Sequence, residues 1–277
     1  MGRRRKGADV ASHEASRSAQ SLFERRAGLY GTGWTSYFWD FGRLLAAQVA
    51  VRSGAPALDV AAGTGAVSLP LAKAGAQVLA LDASPAMLAQ FPDSAARLPI
   101  TRVRASAQAI PLATASVDVV TCGFGIAFFP DLAGALAEMR RALRPAGQLA
   151  LTWWRLDVAT PWVEAQRIRS TLDPAADRMR RRIEELADPE AVRRRVQDAG
   201  FEATRVQPLT LEWEEESVEA YRDARVSLWE RERGAPVPAK AVERLEAAAV
   251  SWRAPDGRLR YPLHAFAVLA RGVASSG

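Results

Sequence analysis

Cysteine occurs once in the 277 residues, at Cys122, so no disulfide can close within the chain. Histidine occurs twice, at His13 and His264, and with one cysteine this leaves no ligand set for a zinc site, so no metal is expected. No stretch approaches the roughly 18 apolar residues of a membrane span, and the N-terminal residues lack the apolar core of a secretory signal. These absences read as a cytoplasmic chain without a membrane span. Lysine is also scarce: Lys6, Lys73 and Lys240 stand among 37 basic residues, a bias that fits base composition better than a binding site.

The net charge of +6 invites a nucleic-acid reading, but its distribution argues against one. The first twenty residues hold five basic and two acidic groups, which is +3 of that excess. Arg3, Arg4, Arg5 and Lys6 sit among Gly, Ser and Ala without periodicity, so residues 1–17 are expected to be a disordered basic tail. Elsewhere arginine and glutamate are interspersed, as in RRRIEELADPEAVRRRVQD, which reads as a solvated helix face. A nucleic-acid partner is not expected. With 49% hydrophobic residues the chain can bury one large core with added caps.

What is present begins with LDVAAGTGAVSLPLA, Leu58 to Ala72. Ala57 to Ala61 is too apolar for a surface strand and belongs in the middle of a parallel sheet. Gly63 and Gly65 let the main chain turn and approach a ligand, and a helix over about 65–74 presents unpaired N–H groups and a positive dipole end. A second apolar strand, from Val78, ends at Asp82, 23 residues after Asp59. In a doubly wound sheet an acid there accepts the ribose hydroxyls of a nucleoside lying across the first turn. The glycine pattern is not the G-x-G-x-x-G that accommodates a pyrophosphate, which disfavours a dinucleotide.

Together these segments resemble the class I S-adenosylmethionine-dependent methyltransferases, most closely the branch of ubiquinone and menaquinone biosynthesis methyltransferases. LDVAAGTG is similar to the family's first motif and LALDASPAML to its second. QAIPLATASVDVV is similar to the run before the fourth strand, TCGFGIAFFPD to the Thr-x-x-Phe-Gly segment, and ALAEMRRALRPAGQLALT to the helix, turn and fifth strand. Five such segments in this order are far more specific than any one of them. The resemblance implies an α/β fold: a doubly wound, seven-stranded, mostly parallel Rossmann-like sheet with an antiparallel last strand and helical cap insertions. Residues 18–277 form the domain on this reading, with a helical lid at 18–52 and caps at 155–187 and 214–258.

The resemblance also assigns residues. S-adenosyl-L-methionine is the implied cofactor, held by Asp59, Ala61, Gly63, Gly65, Asp82, Ala83, Met87, Ser106, Ala107, Gln108, Gly123 and Phe124. Ser84 is expected as an N-cap with Pro85 following, which brings Met87 toward the end carrying Asp82. Ser106 stands where the family has an acid for the adenine amino group, a weaker acceptor, and Ala61 replaces the first glycine. Ala127 and Phe128 replace an Arg-Asn pair of the quinone branch, turning polar contacts apolar.

Further along, two helical patterns between Ser18 and Val51 join at Gly31, Thr32 and Gly33. Strands are expected at about 100–105, 117–122, 149–154, 202–213 and 261–270. Helices fill 160–187, and others follow Asp188, Ser217 and Ala239. The caps and the N-terminal helices should roof the cofactor and shape the acceptor pocket, with Trp34, Phe128, Trp153, Trp154 and Tyr261 as substrate contacts. His264 is the candidate general base and Tyr30 the next, since no His-Asp pair is legible. The expected reaction is O- or C-methylation of an apolar or aromatic small molecule, such as a polyketide, terpenoid or quinone-like compound. A cyclase or isomerase of this fold, a cofactor-binding protein without turnover, and a homo-oligomer all stay open.

Overall fold

Ala57, Leu58 and Val60 are almost wholly buried, a pattern that suits a strand covered on both faces. They lie in β1 (Pro56–Val60), which pairs in parallel with β2 (Gln77–Asp82) on one side and β4 (Val117–Gly123) on the other. Outside these lie β3 (Ile100–Arg104) and β5 (Leu143–Trp154), then β7 (Leu259–Gly272) and β6 (Phe201–Glu215), in the order β3-β2-β1-β4-β5-β7-β6. Strand order reverses between β1 and β4, the place where open α/β sheets leave a crevice at their carboxyl ends. The computed structural model describes residues 23, 24, 26–30 and 33–273, except the side chains of Trp34 and Ala203. The basic tail, Gly31, Thr32 and the ring of Trp34 therefore lie outside the described residues.

The direction of the last strand follows from its contacts. The Arg155 amide donates to the His264 carbonyl (3.0 Å), whereas Gly272, further along β7, lies against Arg144 at the other end of β5. One strand therefore ascends as the other descends. Val273 donates to Gly200 while Thr210 faces His264, so β6 and β7 are antiparallel as well.

Helix starts follow local chemistry. Ser84, Thr160, Asp173 and Asp188 each accept a hydrogen bond from a backbone amide two or three residues on, and each precedes a proline in the first turn. They begin four helices, at Pro85–Ala89, Pro161–Leu172, Pro174–Glu184 and Pro189–Asp198. Asp131 caps Leu132–Ala142 and Ser217 caps Val218–Arg233 in the same way. Two expectations shift. The helix after β1 covers only Ser68–Lys73, because Pro70 has no amide to give and tolerates only a first turn. Strand β5 begins six residues early, at Leu143, but its register with β4 jumps from Val117↔Leu143 to Val119↔Gln148. The Arg144–Ala146 run expected as a turn bulges out there, with Ala146 left-handed (φ 57°).

The chain divides into two compact units, one of Met1–Trp153, Asp188–Gln207 and Phe266–Gly277, the other of Trp154–Ala187 and Pro208–Ala265. The second unit has its own polar core. The guanidinium of Arg225, 2% exposed, makes a paired contact with Glu215 (2.8 and 2.9 Å) and stands 3.7 Å over the Tyr221 ring. The Tyr261 hydroxyl donates to Glu215 and accepts from Arg225, so this buried charge is thoroughly compensated. Among the described residues no helix is long and apolar enough to cross a membrane.

In the first unit Asp59 ties three elements. Fully buried on β1, it accepts from Ser68 Oγ (2.6 Å) on the following helix and from Thr121 Oγ1 (2.9 Å) on β4. Burial pushes its carboxyl up from 3.8 to about 7, against the pull of those two hydrogen bonds. Between these values the folded carboxyl keeps a proton that the unfolded chain has released, so raising the pH through this window favours unfolding. Denaturant titrations at about pH 5 and about pH 7.5 are expected to show the wild type losing stability that Asp59→Asn, which cannot ionise, retains. Equal loss in both proteins would place the titrating group elsewhere.

Candidate active site

Two turns meet at the carboxyl ends of β1 and β2. After β1 the chain turns through Ala61 (φ 55°), Gly63 (φ 57°) and Gly65 (φ 98°), all left-handed. The Gly63 amide donates to Asp82 Oδ2 (2.9 Å) and the Ser84 amide to Asp82 Oδ1 (2.8 Å). Each oxygen keeps a further lone pair, so the carboxylate can accept more bonds. Burial raises the pKa of Asp82, while hydrogen bonds from Ser84, Gly63 and Ala83 oppose the rise.

Met87 arrives as its capped helix requires. Ser84 Oγ accepts from the Met87 amide (3.3 Å), and a Cβ at Gly63 would lie 3.2 Å from the Met87 methyl. The thioether therefore covers the glycine turn, beside Asp82. At Gly65 a Cβ would strike Phe91 and Leu69 at 2.6 and 2.7 Å, so that glycine serves the packing of the turn. Beyond β3, Ala105 donates to the Asp82 carbonyl (3.1 Å), which brings Ser106, Ala107 and Gln108 to the same edge. Ser106 Oγ accepts from the Gln108 amide (3.2 Å), so part of its acceptor capacity closes its own turn.

A small cleft opens where β1 and β4 part. Asp59, Ala61, Gly123 and Phe124 line it together with Phe38, Phe41 and Thr152. Both oxygens of Asp59 already accept from side chains, which makes it a strut of this wall. Phe38 and Phe41 come from the helix Tyr37–Ala46. That helix lies so close to the glycine turn that a Cβ at Gly42 would fall 2.1 Å from the Ala66 carbonyl oxygen. Around them rings join edge to face or stacked: Tyr30 on Phe38 (5.1 Å) and on Phe23 (5.9 Å), and Phe23 on Phe128 (4.9 Å).

The other expected contacts are dispersed. Trp153, in the first unit, packs against Phe266 with centroids 5.5 Å apart. Trp154, in the second, packs against Trp162 at 4.3 Å, and both tryptophans are buried. Tyr261, expected at a pocket mouth, is packed instead: it is 1% exposed and its hydroxyl is engaged by Arg225 and Glu215. His264 is half-buried in the second unit, its Nδ1 3.1 Å from Thr210 Oγ1. Burial, helped by the Arg155 charge, lowers its pKa.

Phe38, Phe41, Gly42 and Thr152 were not expected as site residues. Phe38 and Phe41 fall in an aromatic helical stretch, which by itself indicates packing. A glycine inside an aromatic helical stretch was the available signal of close approach, and a lone threonine in LALTWW that of a polar group kept in a buried strand.

A family model for the methyltransferase domain matches residues 58–151, from β1 to the end of β5. Nocamycin O-methyltransferase of Saccharothrix syringae is 38% identical over 137 residues, 47% of this chain and 49% of that protein. Demethylmenaquinone methyltransferase of Renibacterium salmoninarum is 41% identical over 109 residues, 39% of this chain and 45% of that protein. The chain thus matches less than half the length of either relative. The crystal structure of the YcgJ protein from Bacillus subtilis has the same fold, with a TM-score of 0.57 at 17% identity over 85% of this chain and 100% of that one. Residues 58–151 therefore match the methyltransferase domain family, and the chain is similar over part of its length to two methyltransferases.

Proposed function

We propose that the protein transfers a methyl group from S-adenosyl-L-methionine to an oxygen or carbon of an apolar or aromatic small molecule, polyketide-, terpenoid- or quinone-like. The observation that carries the reading is the Asp82 carboxylate, bracketed by the Gly63 and Ser84 amides with Met87 beside it. Such a group accepts ribose hydroxyls, and the left-handed turn leaves the backbone open to close approach. The chemistry of the donor set therefore fits the cofactor. When bound, it supplies a methyl group already activated on a sulfonium.

The chain's own task is then to position, dry and deprotonate. Asp82 fixes the sugar and Met87 covers the base. The rings of Phe38, Phe41 and Phe124 keep water from the cleft. The relatives' names include an O-methyltransferase and a demethylmenaquinone methyltransferase, which supports an oxygen or carbon acceptor of apolar character. His264 takes the acceptor's proton where that atom starts protonated; its lowered pKa keeps the imidazole neutral, the form that can receive one. We place the protein in the cytoplasm, where its single buried cysteine needs no partner.

Incubation with methyl-labelled cofactor and a panel of phenols, quinones and polyketide intermediates tests this. Label in a product is the expected result. A rearranged, unlabelled product would assign a cyclase instead, and binding without turnover would leave a cofactor-binding protein. By calorimetry, Asp82→Ala should weaken adenosylhomocysteine binding by about 2–3 kcal/mol, the scale for losing a charged acceptor; unchanged affinity would remove the sugar from that site. His264→Ala should slow turnover severalfold at constant cofactor affinity, and full activity would end its role as base.

A further inference from the structure

We infer that Glu138 and Arg141, on the helix Leu132–Ala142, are positioning residues for adenine: they hold the loop after β3 in the conformation in which its main chain reads the base. This rests on the adenosylmethionine reading and deepens it. Each residue acts through the loop and not on the ligand.

The loop, residues 105–116, lies in neither helix nor strand, so its backbone groups need other partners. At its near end Ala105 donates to the Asp82 carbonyl (3.1 Å), Ala109 to the Ser106 carbonyl (3.0 Å) and Gln108 to Ser106 Oγ (3.2 Å). These bonds fold residues 106–109 into a turn beside Asp82 and occupy part of the serine's capacity to accept. Recognition of the base then falls largely to the main chain of the turn.

The far end is gripped from the helix. Glu138 Oε2 accepts from the Ile110 amide (2.9 Å), while Arg141 donates through Nη2 to the Ile110 carbonyl (2.9 Å) and through Nη1 to the Leu112 carbonyl (2.6 Å). Arg141 Nε and Nη2 also donate to the two oxygens of Glu138, at 2.7 and 2.8 Å, so each side chain fixes the direction of the other. Those hydrogen bonds hold the Glu138 carboxyl below its ordinary range, which keeps the pair charged at neutral pH. Stability alone does not call for this arrangement. Both side chains are partly exposed, and an ion pair three residues apart on a helix surface contributes little by itself. What the pair supplies is order in a segment without secondary structure, one turn from the Asp82 edge. Adenine presents an acceptor nitrogen beside an amino donor, and main-chain N–H and C=O groups match that edge only when their directions are fixed.

Calorimetry of the full chain with adenosylhomocysteine and S-inosylhomocysteine, in which a carbonyl oxygen replaces the amino group of the base, tests the inference. Wild-type protein should prefer the adenine ligand. Glu138→Ala and Arg141→Ala should each lower that preference about twofold to tenfold, the range of one hydrogen bond, and leave affinity for the inosyl ligand within about twofold. Arg141→Lys keeps the charge without the fork and should lose the preference too, whereas Glu138→Gln keeps an acceptor for Ile110 and should retain part of it. These two conservative variants serve where an alanine variant does not fold. An unaltered preference, or equal weakening of both ligands, would overturn the inference and leave the pair as a brace between helix and loop. Wild-type protein that binds both bases alike would overturn it as well. Wild-type protein that binds neither ligand would sink the cofactor reading itself, a different result.

Discussion

The carboxylate of Asp82 joins two turns that would otherwise be independent. One oxygen accepts from Gly63, in the turn after β1, and the other from Ser84, where the next helix starts. The loop that approaches a ligand and the helix that carries Met87 are thereby held to one anchor. Because the anchor is charged and only half-buried, its bonds are stronger than neutral ones while its outer lone pairs remain available.

Much of this was legible in the sequence because it is local. The apolar run at Ala57–Val60, the acid closing the next strand and the Ser-Pro and Asp-Pro starts are decided by a few neighbouring residues. Even there, Pro70 delayed a helix that the glycine turn alone would have started earlier. The cleft was less legible, since its walls come from places distant in sequence. Gly42 gains its meaning only from the Ala66 carbonyl opposite, and Thr152 from the amide of Phe124 across a strand pair. Tyr261 misled for the same reason. Its position near the start of the last strand suggested a pocket, but Arg225, 36 residues earlier, occupies its hydroxyl.

The two carboxylates at the ends of β1 and β2 divide their labour. Asp59 is fully buried and bound on both oxygens by Ser68 and Thr121, so it secures the sheet and the short helix against each other. Asp82 is bound by backbone amides and reaches the surface. Burial raises both pKa values, yet only the inner one has its oxygens met by side-chain hydroxyls, which makes it a device of folding more than of binding.

The turns after β1 and β4 also constrain each other. A Cβ at Gly125 would fall 2.5 Å from the Cβ of Ala61 and 2.7 Å from the Cys122 sulfur. Positions 61 and 125 therefore share room for one methyl group between them. Homologous sequences should vary there in concert: where the first motif keeps its glycine, the later position is relieved of half its restriction, and where alanine enters the motif, glycine becomes obligatory some sixty residues downstream. Such covariation would let related sequences be sorted by a pair of small residues.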